Sequence, residues 1–339
     1  MKTVGQAPNY QPLKAKSAPR KPLMAKSAPR KPLMAKSPNY QPSPNQAPTH
    51  RTFAPILVIL AACLWGILVV FVRAFGKADF TSMEIVTLRV YSSAIFLWIF
   101  LFLFDRKNIK FHIKDSWCFV GTGLVSIVFF SYCYFRNVEV SSAAVAGILM
   151  YTSPIFVTFL SAIFFHEKIT KIKVIALFLA ILGCALVSGV VGGISNVSAL
   201  GVFLGLGSGI GYALYSIFGR FALDKGYAPL LVTAMTFTFA CVGVLPFIHI
   251  ANLCSKLAAD PKYILLALIM GLVGSCTPFA LYTIGLRYME ASKAAILATL
   301  EPIVTALVGT FLYKEPIDIF IIMGIIMVLI AGILSSRKA

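Results

Sequence analysis

Ten apolar segments follow one another between residues 54 and 335, and they constrain the fold more than any other feature of the sequence. Each is about long enough to cross ~30 Å of hydrocarbon as an α-helix. A chain with 59% hydrophobic and only 12% charged residues is not an ordinary soluble domain. The sequence therefore predicts an all-α integral membrane fold with ten transmembrane helices. The predicted spans are 54–75, 82–104, 116–135, 141–165, 172–191, 199–221, 229–250, 263–286, 291–313 and 316–335.

The basic residues of the linkers predict the orientation. With the N-terminus in the cytoplasm, thirteen Lys or Arg fall in inner loops or at the carboxyl end, against five in outer loops. Basic residues concentrate on the cytoplasmic side of membrane proteins. We therefore expect a multi-pass protein of the cell inner (plasma) membrane with both termini cytoplasmic. The lipid bilayer is its expected partner, and the net charge of +18 does not require nucleic acid as an explanation.

The segment Ala143–Glu167 is repeated 148 residues later, at Ala291–Glu315. Seven of the 25 positions are identical, among them a proline and the final glutamate. A shift of 148 residues covers five predicted helices. Because five is odd, the second copy of each helix enters the membrane from the opposite side. The sequence predicts two inverted five-helix repeats, at 52–191 and 192–339, although shared Ala, Ile and Leu between two apolar helices is an alternative explanation.

Residues 1–51 have a different composition from the rest of the chain. The decapeptide AKSAPRKPLM occurs at 15–24 and again at 25–34, and the segment holds ten Lys or Arg, ten Pro and no Asp or Glu. Such a sequence cannot bury enough apolar surface to fold, and its prolines interrupt any helix. We predict a disordered basic tail. A spacer expanded by repeat slippage is the favoured interpretation, and a tether for anionic lipid is the alternative.

Residues with the chemistry of enzyme active sites are scarce at membrane depth. The four histidines lie in the tail or at span ends, and no metal-binding motif, phosphate-binding loop or paired carboxylates occur inside the spans. The seven cysteines have no pairing pattern and are interpreted as small buried thiols. We therefore expect no catalytic residues, no metal, no cofactor and no enzymatic activity.

Two charged residues inside the predicted spans are candidates for function. A carboxylate at the depth of Glu301 costs at least ~2.5 kcal/mol, so it is rarely without a role. Glu301 either binds a proton or cation, or caps the helix break that Pro302 introduces. Arg89 lies a third of the way into the second span, where it either forms a structural pair or anchors a substrate.

Aromatic residues within the spans complete the candidate site. A buried tyrosine needs a partner for its hydroxyl, which a wet cavity or a neighbouring helix supplies. The prolines of the two related segments each remove a backbone donor at matched depth and are natural hinges. The predicted substrate-binding residues are Trp65, Tyr132, Tyr151, Tyr212, Tyr215, Tyr282 and Glu301. The predicted structural or hinge residues are Arg89, Pro154, Pro302, Glu167 and Glu315.

The chain from about 54 to 335 resembles the EamA family of the drug/metabolite transporter superfamily. The resemblance rests on LWG at 64–66, Arg89, AAVAGILMYTSP before the HE at 166–167, and LRYMEASKAAILATLEP before the KE at 314–315. It implies a secondary carrier with cytoplasmic termini and a central cavity between two five-helix halves, lined mainly by spans one, three, four, six, eight and nine. Two positions depart from it. Ser153 stands where the second repeat has Glu301, and His166 replaces a small residue.

These observations predict a secondary active transporter that moves a small organic metabolite, such as an amino acid or a nucleotide-like compound, by alternating access. Two alternatives stay open. A polytopic membrane enzyme acting on lipid-linked substrates would need a carboxylate or histidine cluster near one leaflet. A membrane scaffold would work through the basic tail. An ion channel is disfavoured because no ring of charge or filter-like loop occurs.

Overall fold

The computed structural model of the chain describes residues 48–189 and 198–336, and those residues form α-helices joined by short loops. Single turns of 3₁₀-helix occur at Arg106–Asn108, Ile113–Asp115 and Leu245–Phe247. The helices are α1 (Pro48–Gly76), α2 (Ser82–Phe104), α3 (Ser116–Val120, Gly121–Phe129 and Phe130–Val140), α4 (Ala143–Met150 and Ser153–Phe165), α5 (Lys171–Val187), α6 (Ala199–Asp224), α7 (Pro229–Val244), α8 (Ile250–Ala259), α9 (Lys262–Gly271, Leu272–Cys276 and Thr277–Tyr288), α10 (Ala291–Ala298 and Glu301–Tyr313) and α11 (Ile319–Ser336).

Nine helical segments in the described part of the chain are long and apolar enough to cross a membrane. They agree with nine of the ten predicted spans. The predicted fifth span, 172–191, corresponds to α5, which has 17 residues, the lower end of the length that crosses a bilayer. Positions 190 and 191 lie outside the described residues.

The first helix begins earlier than the sequence predicts. It starts at Pro48, inside the segment 1–51 that the composition assigns to the tail. A proline in the first turn of a helix removes no intrahelical hydrogen bond, so it does not prevent the start there. The remainder of the predicted tail, 1–47, lies outside the described residues.

The predicted seventh span, 229–250, is too long. Its helix ends at Val244, where the N–H of Leu245 bonds to the carbonyl of Val242 and a 3₁₀ turn begins. Pro246, inside that turn, has no N–H with which to continue the α-helix. The short helix α8 then begins at Ile250, the last residue of the predicted span, and continues to Ala259 through residues that the sequence assigns to a loop. Its Lys256 donates to the carbonyl of Asp79 at 2.7 Å and to Oε2 of Glu84 at 2.7 Å. These two bonds attach α8 to the start of α2.

Glu84, the acidic residue just inside the second span, belongs to a helix cap. The backbone N–H of Thr81 donates to Oε2 of Glu84 at 2.8 Å, and the N–H of Glu84 donates to the Thr81 hydroxyl at 3.3 Å. This reciprocal pair is a capping box, which satisfies two backbone donors at the start of a helix. Its carboxylate is therefore engaged in capping and in the ion pair with Lys256.

Helices α4 and α10 break at equivalent positions. The breaks lie at residues 151–152 and 299–300, which are 148 positions apart. Pro154 and Pro302 are each the second residue of the half-helix that follows. At that position a proline costs no intrahelical hydrogen bond, because the N–H groups of the first turn have no partner within the helix. The proline also disfavours the helical conformation of the residue before it, so the preceding half-helix does not continue through this point. At both breaks the N–H groups bond back to carbonyls of the preceding half-helix, those of Thr152 and Thr299 to the residue three positions earlier.

Helices α3 and α9 share another irregularity. Each contains a π-helical stretch, at Gly121–Phe129 in α3 and at Leu272–Cys276 in α9. A π-helix has more residues per turn than an α-helix, so it rotates the side chains that follow, and such stretches are frequent at functional sites. The stretch in α3 contains Ser126 and Ile127 of the central cavity, and the stretch in α9 ends three residues before Phe279, which also lines it.

Candidate functional site

A cavity of about 470 Å³ extends from the centre of the helix bundle towards one end of it. Trp65, Arg89 and Glu301 line its deep part. Arg73, near the end of α1, and Ala143, the first residue of α4, line its mouth. The volume is in the range of small-molecule sites in proteins. The lining residues of the cavity therefore extend from the centre of the bundle to the end where α1 finishes and α4 begins.

A smaller chamber of about 60 Å³ adjoins the deep part of this cavity. It shares Trp65, Arg89 and Glu301 with the larger cavity. Three helices, α1, α6 and α9, supply most of its aromatic lining. Its other lining residues are Leu68, Ser126, Ile127, Phe130, Tyr212, Tyr215, Ser216, Phe279 and Tyr282.

Glu301 and Arg89 give the deep part of the cavity one charge of each sign. The hydroxyl of Tyr212 donates to Oε2 of Glu301 at 3.3 Å. Glu301 is the first residue of its half-helix, where the N–H groups and the positive end of the helix dipole stabilise a carboxylate. Among the described residues, Nε of Arg89 is buried without a hydrogen-bond partner. A buried guanidinium nitrogen of this kind is free to bind an anionic group of a ligand.

Trp65 is the centre of an aromatic wall. Its ring centroid lies 5.0 Å from that of Phe279, 5.4 Å from that of Tyr282 and 6.3 Å from that of Tyr212. The first and last of these contacts are edge-to-face, the geometry that the ring quadrupoles favour. The wall presents apolar surface opposite the two charges, so the chamber can accommodate a molecule with both charged and apolar parts.

Two of the tyrosine hydroxyls join α6 to α9. The hydroxyls of Tyr215 and Thr283 are 2.6 Å apart, and those of Ser216 and Tyr282 are 2.7 Å apart. Buried polar groups in a membrane helix need such partners, because hydrocarbon offers none. Tyr215 and Tyr282 line the chamber with their rings while their hydroxyls hold two helices together.

The structure brings six of the seven predicted substrate-binding residues to the cavity and leaves one outside. Tyr151, at the break in α4, lines the larger cavity. Tyr132 does not line it. The residue is 38% exposed, and the centroid of its ring lies 5.3 Å from that of Phe247. The set of site residues used below therefore omits Tyr132.

Several lining residues were not in the predicted site. Arg89 was assigned a structural role, yet it lines both chambers. Phe130 and Phe279 carry no polar atom, so no chemical signal in the sequence distinguishes them from lipid-facing phenylalanines. Tyr134 lines the larger cavity, two positions from Tyr132. The part of α3 that holds both tyrosines, Phe130–Val140, carries polar residues on several faces, so periodicity alone does not select between the two tyrosines.

The end of the bundle opposite the mouth is closed by Glu167. This residue follows α4, and its carboxylate accepts hydrogen bonds from the N–H of Ala291 at 2.7 Å and the N–H of Ser292 at 3.2 Å. The Ser292 hydroxyl donates to the same carboxylate. Lys173 of α5 lies 3.7 Å from Glu167 and 3.1 Å from Glu290. Glu167, assigned a structural role from the sequence, thus fastens the end of α4 to the start of α10.

Glu315, the counterpart of Glu167 in the second repeat, lies at the open end. It pairs with Arg73 across 2.6 Å, and its side chain is 48% exposed. The Arg73 guanidinium also lies 4.3 Å from the ring centroid of Tyr313. The two related glutamates therefore have different partners at the two ends of the bundle.

The bundle of apolar helices surrounds a cavity, and a broken helix places a carboxylate near its centre. This architecture is typical of membrane transport proteins. The chain belongs to the EamA-like transporter family, which matches residues 52–189 and again residues 199–337. The two matches confirm the family resemblance and assign one copy of the family's repeat to each half of the chain.

Individual relatives agree with this membership. An uncharacterized transporter of Archaeoglobus fulgidus is 26% identical over 284 residues, which covers 84% of this chain and 98% of the relative. YxxF, an uncharacterized transporter of Bacillus subtilis, is 25% identical over 84% of this chain and 90% of its own length. YicL, an uncharacterized inner membrane transporter of Salmonella typhimurium, is 24% identical over 82% and 93%.

The fold also matches a chain of known crystal structure. The TM-score is 0.70 at 15% sequence identity, and the match covers 85% of this chain and 100% of the other. At this identity the likeness concerns the fold alone. It covers nearly the same share of the chain as the relatives of known sequence, so it includes both family repeats.

Proposed function

We propose that the chain is a secondary transporter that moves a small organic metabolite across the cell inner membrane by alternating access. The observation that carries the proposal is the cavity, which extends from its mouth to Arg89 and Glu301, two partly exposed residues, while Glu167 closes the opposite end. Alternating access requires a central site that is open to one side of the membrane at a time. The described arrangement corresponds to one of the two states that such a cycle needs.

Two inverted five-helix halves are the moving parts in this proposal. The breaks of α4 and α10 and the π-helical stretches of α3 and α9 support two copies of one module. The bond from Ala291 to Glu167 supports the inversion, because it joins the end of one copy's helix to the start of the other's. Both of these helices are long enough to cross the membrane, so this contact favours an antiparallel pair.

A tenth span, α5, completes the topology we propose. Close packing against the membrane-spanning α11 supports its insertion, since a Cβ at Gly183 would lie 2.7 Å from Cγ2 of Val328. Small residues that allow such close approach are typical of helix pairs in membranes. Ten spans put both termini on one face, and the excess of Lys and Arg in the loops favours the cytoplasmic face. The relative named as an inner membrane transporter favours that membrane.

The cavity favours a zwitterionic substrate, of which an amino acid is the simplest example. Arg89 offers a buried donor to an anionic group, and Glu301 offers an acceptor to a cationic one. Trp65 and its aromatic neighbours provide apolar surface for the remainder of the molecule. A nucleotide-like compound is less well matched, because its phosphates would need more than one buried cation.

The alternative functions have less support. An enzyme acting on lipid-linked substrates would need a cluster of carboxylates or histidines near one leaflet. The linings of the two described cavities contain one acidic residue, Glu301, and no histidine. The curated relatives above are named as transporters. A scaffold working through the basic tail is tested by a deletion described in the Discussion.

The experiment that tests the proposal begins with metabolite profiles of cells with and without the protein. The metabolite that differs is then supplied to proteoliposomes containing the purified full-length chain. We expect uptake by the wild type and a loss of about tenfold or more in the Arg89→Gln variant, which removes a buried charged hydrogen-bond donor. Arg136→Gln is the matched control, because Arg136 is exposed and pairs with Glu139 within α3. Equal uptake by both variants, or no uptake by the wild type, would reject the proposal.

A further inference from the structure

Glu167 and Glu315 occupy equivalent turns at the ends of α4 and α10. Each follows a residue in the left-handed region, His166 with φ 55° and Lys314 with φ 60°. The backbone N–H of each glutamate returns to the carbonyl of the residue six positions earlier, at 3.3 Å and 3.2 Å respectively. The same local backbone therefore presents each carboxylate.

The two carboxylates nevertheless have different surroundings. Glu167 accepts from the backbone of Ala291 and Ser292, and its side chain is 5% exposed. Glu315 is half exposed and pairs with Arg73. An exposed ion pair of this kind contributes little to stability, whereas a carboxylate that receives two backbone N–H bonds at a helix start contributes more.

The first residues of α10 and α4, which these glutamates could cap, also differ in their exposure. Ala291, the first residue of α10, is completely buried, whereas Ala143, the first residue of α4, is exposed at the mouth. The N-cap residue of α10, Glu290, does not cap the helix with its own side chain. In α4 the hydroxyl of Ser142 accepts from one N–H further along, at 3.2 Å. The first N–H groups of α4, like those of every helix, have no acceptor within the helix.

We propose that Glu167 and Glu315 are alternating latches. Glu167 caps α10 while the mouth described here is open. Glu315 leaves Arg73 and caps α4 at Ala143 when this mouth closes and the opposite end opens. Each carboxylate thereby stabilises one of the two states, and the balance between the caps sets their relative populations. This inference rests on the alternating access proposed above.

Two cysteine reporters measure which end is open. Val138 lines the cavity at the mouth, and Leu286, the residue 148 positions later, is completely buried. The full-length protein, with its seven natural cysteines replaced by alanine, carries either Val138→Cys or Leu286→Cys. Labelling by a maleimide in detergent, where both ends are accessible to the reagent, is then followed over time. The measured quantity is the ratio of the labelling rate at 138 to that at 286.

The latch proposal predicts opposite effects for the two glutamates. Glu167→Gln lowers the ratio and Glu315→Gln raises it, each by about 3- to 10-fold, the usual effect of losing a helix cap. The double variant returns to within about twofold of the parent, because the two losses oppose each other. Glu139→Gln is the matched control, since Glu139 is an exposed glutamate that pairs within its own helix and touches neither latch. It leaves the ratio unchanged.

Failure of the latch and failure of alternating access give different results. If Glu315→Gln behaves like Glu139→Gln, or moves the ratio in the same direction as Glu167→Gln, the latch proposal is wrong. Ala291→Trp supplies the independent comparison, because a large side chain cannot occupy that fully buried position and forces the closed end apart. Under alternating access it raises labelling at 286 and lowers labelling at 138. If both rates rise or fall together in that variant, the proposed transport mechanism itself is rejected.

Discussion

The hydroxyl of Tyr212 donates a hydrogen bond to Oε2 of Glu301 over 3.3 Å, and this bond links α6 to the second half of α10 across the cavity. The ring of Tyr212 also meets Trp65 edge-to-face. The bond thus joins the aromatic wall to the carboxylate at the helix break. It connects residues that lie 89 positions apart in the chain.

Removal of this hydroxyl tests the assignment of the site. We expect Tyr212→Phe to lower the transport rate at low substrate concentration about tenfold, because a hydrogen bond to a partly buried charged group is lost while the ring remains. Tyr132→Phe is the control, since Tyr132 lies on the outer surface of the bundle. Uptake into proteoliposomes, normalised to the amount of folded protein, provides the measurement. Equal losses in the two variants would contradict the assignment.

The ionisable side chain of Glu301 leads to a separate prediction about coupling of transport to a proton gradient. If Glu301 carries a proton through the cycle, Glu301→Gln should abolish the acceleration of uptake by a pH gradient and leave exchange of substrate across the membrane. The amide keeps the shape of the side chain and an acceptor oxygen but cannot be ionised. Uptake is measured with and without an imposed gradient, beside counterflow at equal pH. A gradient effect that persists in the variant would exclude Glu301 as the proton site.

The parts of the fold that were predicted from the sequence depend on local signals. Apolar stretches of about 20 residues mark helices that cross a bilayer, and nine such helices agree with the described structure. The breaks before Pro154 and Pro302 could also be predicted, because a proline changes the backbone of its own turn. Helix α8 was missed because it is short and its attachment depends on Lys256 meeting Glu84, which is distant in sequence.

The site was predicted less completely because it depends on which face of each helix turns inward. Tyr132 and Tyr134 are two positions apart, which is about 200° around an α-helix. Only the second lines the cavity. The π-helical stretch Gly121–Phe129 lies just before both residues and rotates the side chains that follow it around the helix axis. No sequence pattern predicts this stretch. The cavity-facing position of Arg89 likewise follows from the packing of α2 against other helices.

The contact between α1 and α10 beside the cavity has no space for a larger residue. A Cβ at Gly66 would lie 2.6 Å from Cβ of Val304 and 2.8 Å from the carbonyl oxygen of Glu301. We expect Gly66→Ala to destabilise the protein by about 1–3 kcal/mol through overpacking, and to reduce transport. Gly76→Ala, at a position with nothing within 4 Å, should have neither effect. Thermal unfolding in detergent compares the two, and an unchanged Tm for Gly66→Ala would contradict the packing.

Deletion of residues 2–47 separates a transporter from a scaffold that works through its basic tail. The cavity, the breaks and both glutamate contacts are formed by later residues, so we expect the shortened chain to retain transport within about twofold. The measurement compares uptake and surface expression with the full chain. Complete loss of transport despite normal insertion would favour the scaffold interpretation.

The proposed inverted topology predicts which residues face each side of the membrane. Lys168, just after α4, and Ser198, just before α6, are both exposed and lie on either side of α5. If α5 crosses the bilayer as the tenth span, the two positions lie on opposite faces, with Lys168 cytoplasmic under the distribution of basic residues. Single cysteines at these positions, in the background without natural cysteines, are tested in intact cells with a thiol reagent that does not cross membranes. Ser198→Cys should react and Lys168→Cys should react only after permeabilisation. Labelling of both from the same side would mean that α5 does not cross, and the second half of the chain would then have the same orientation as the first.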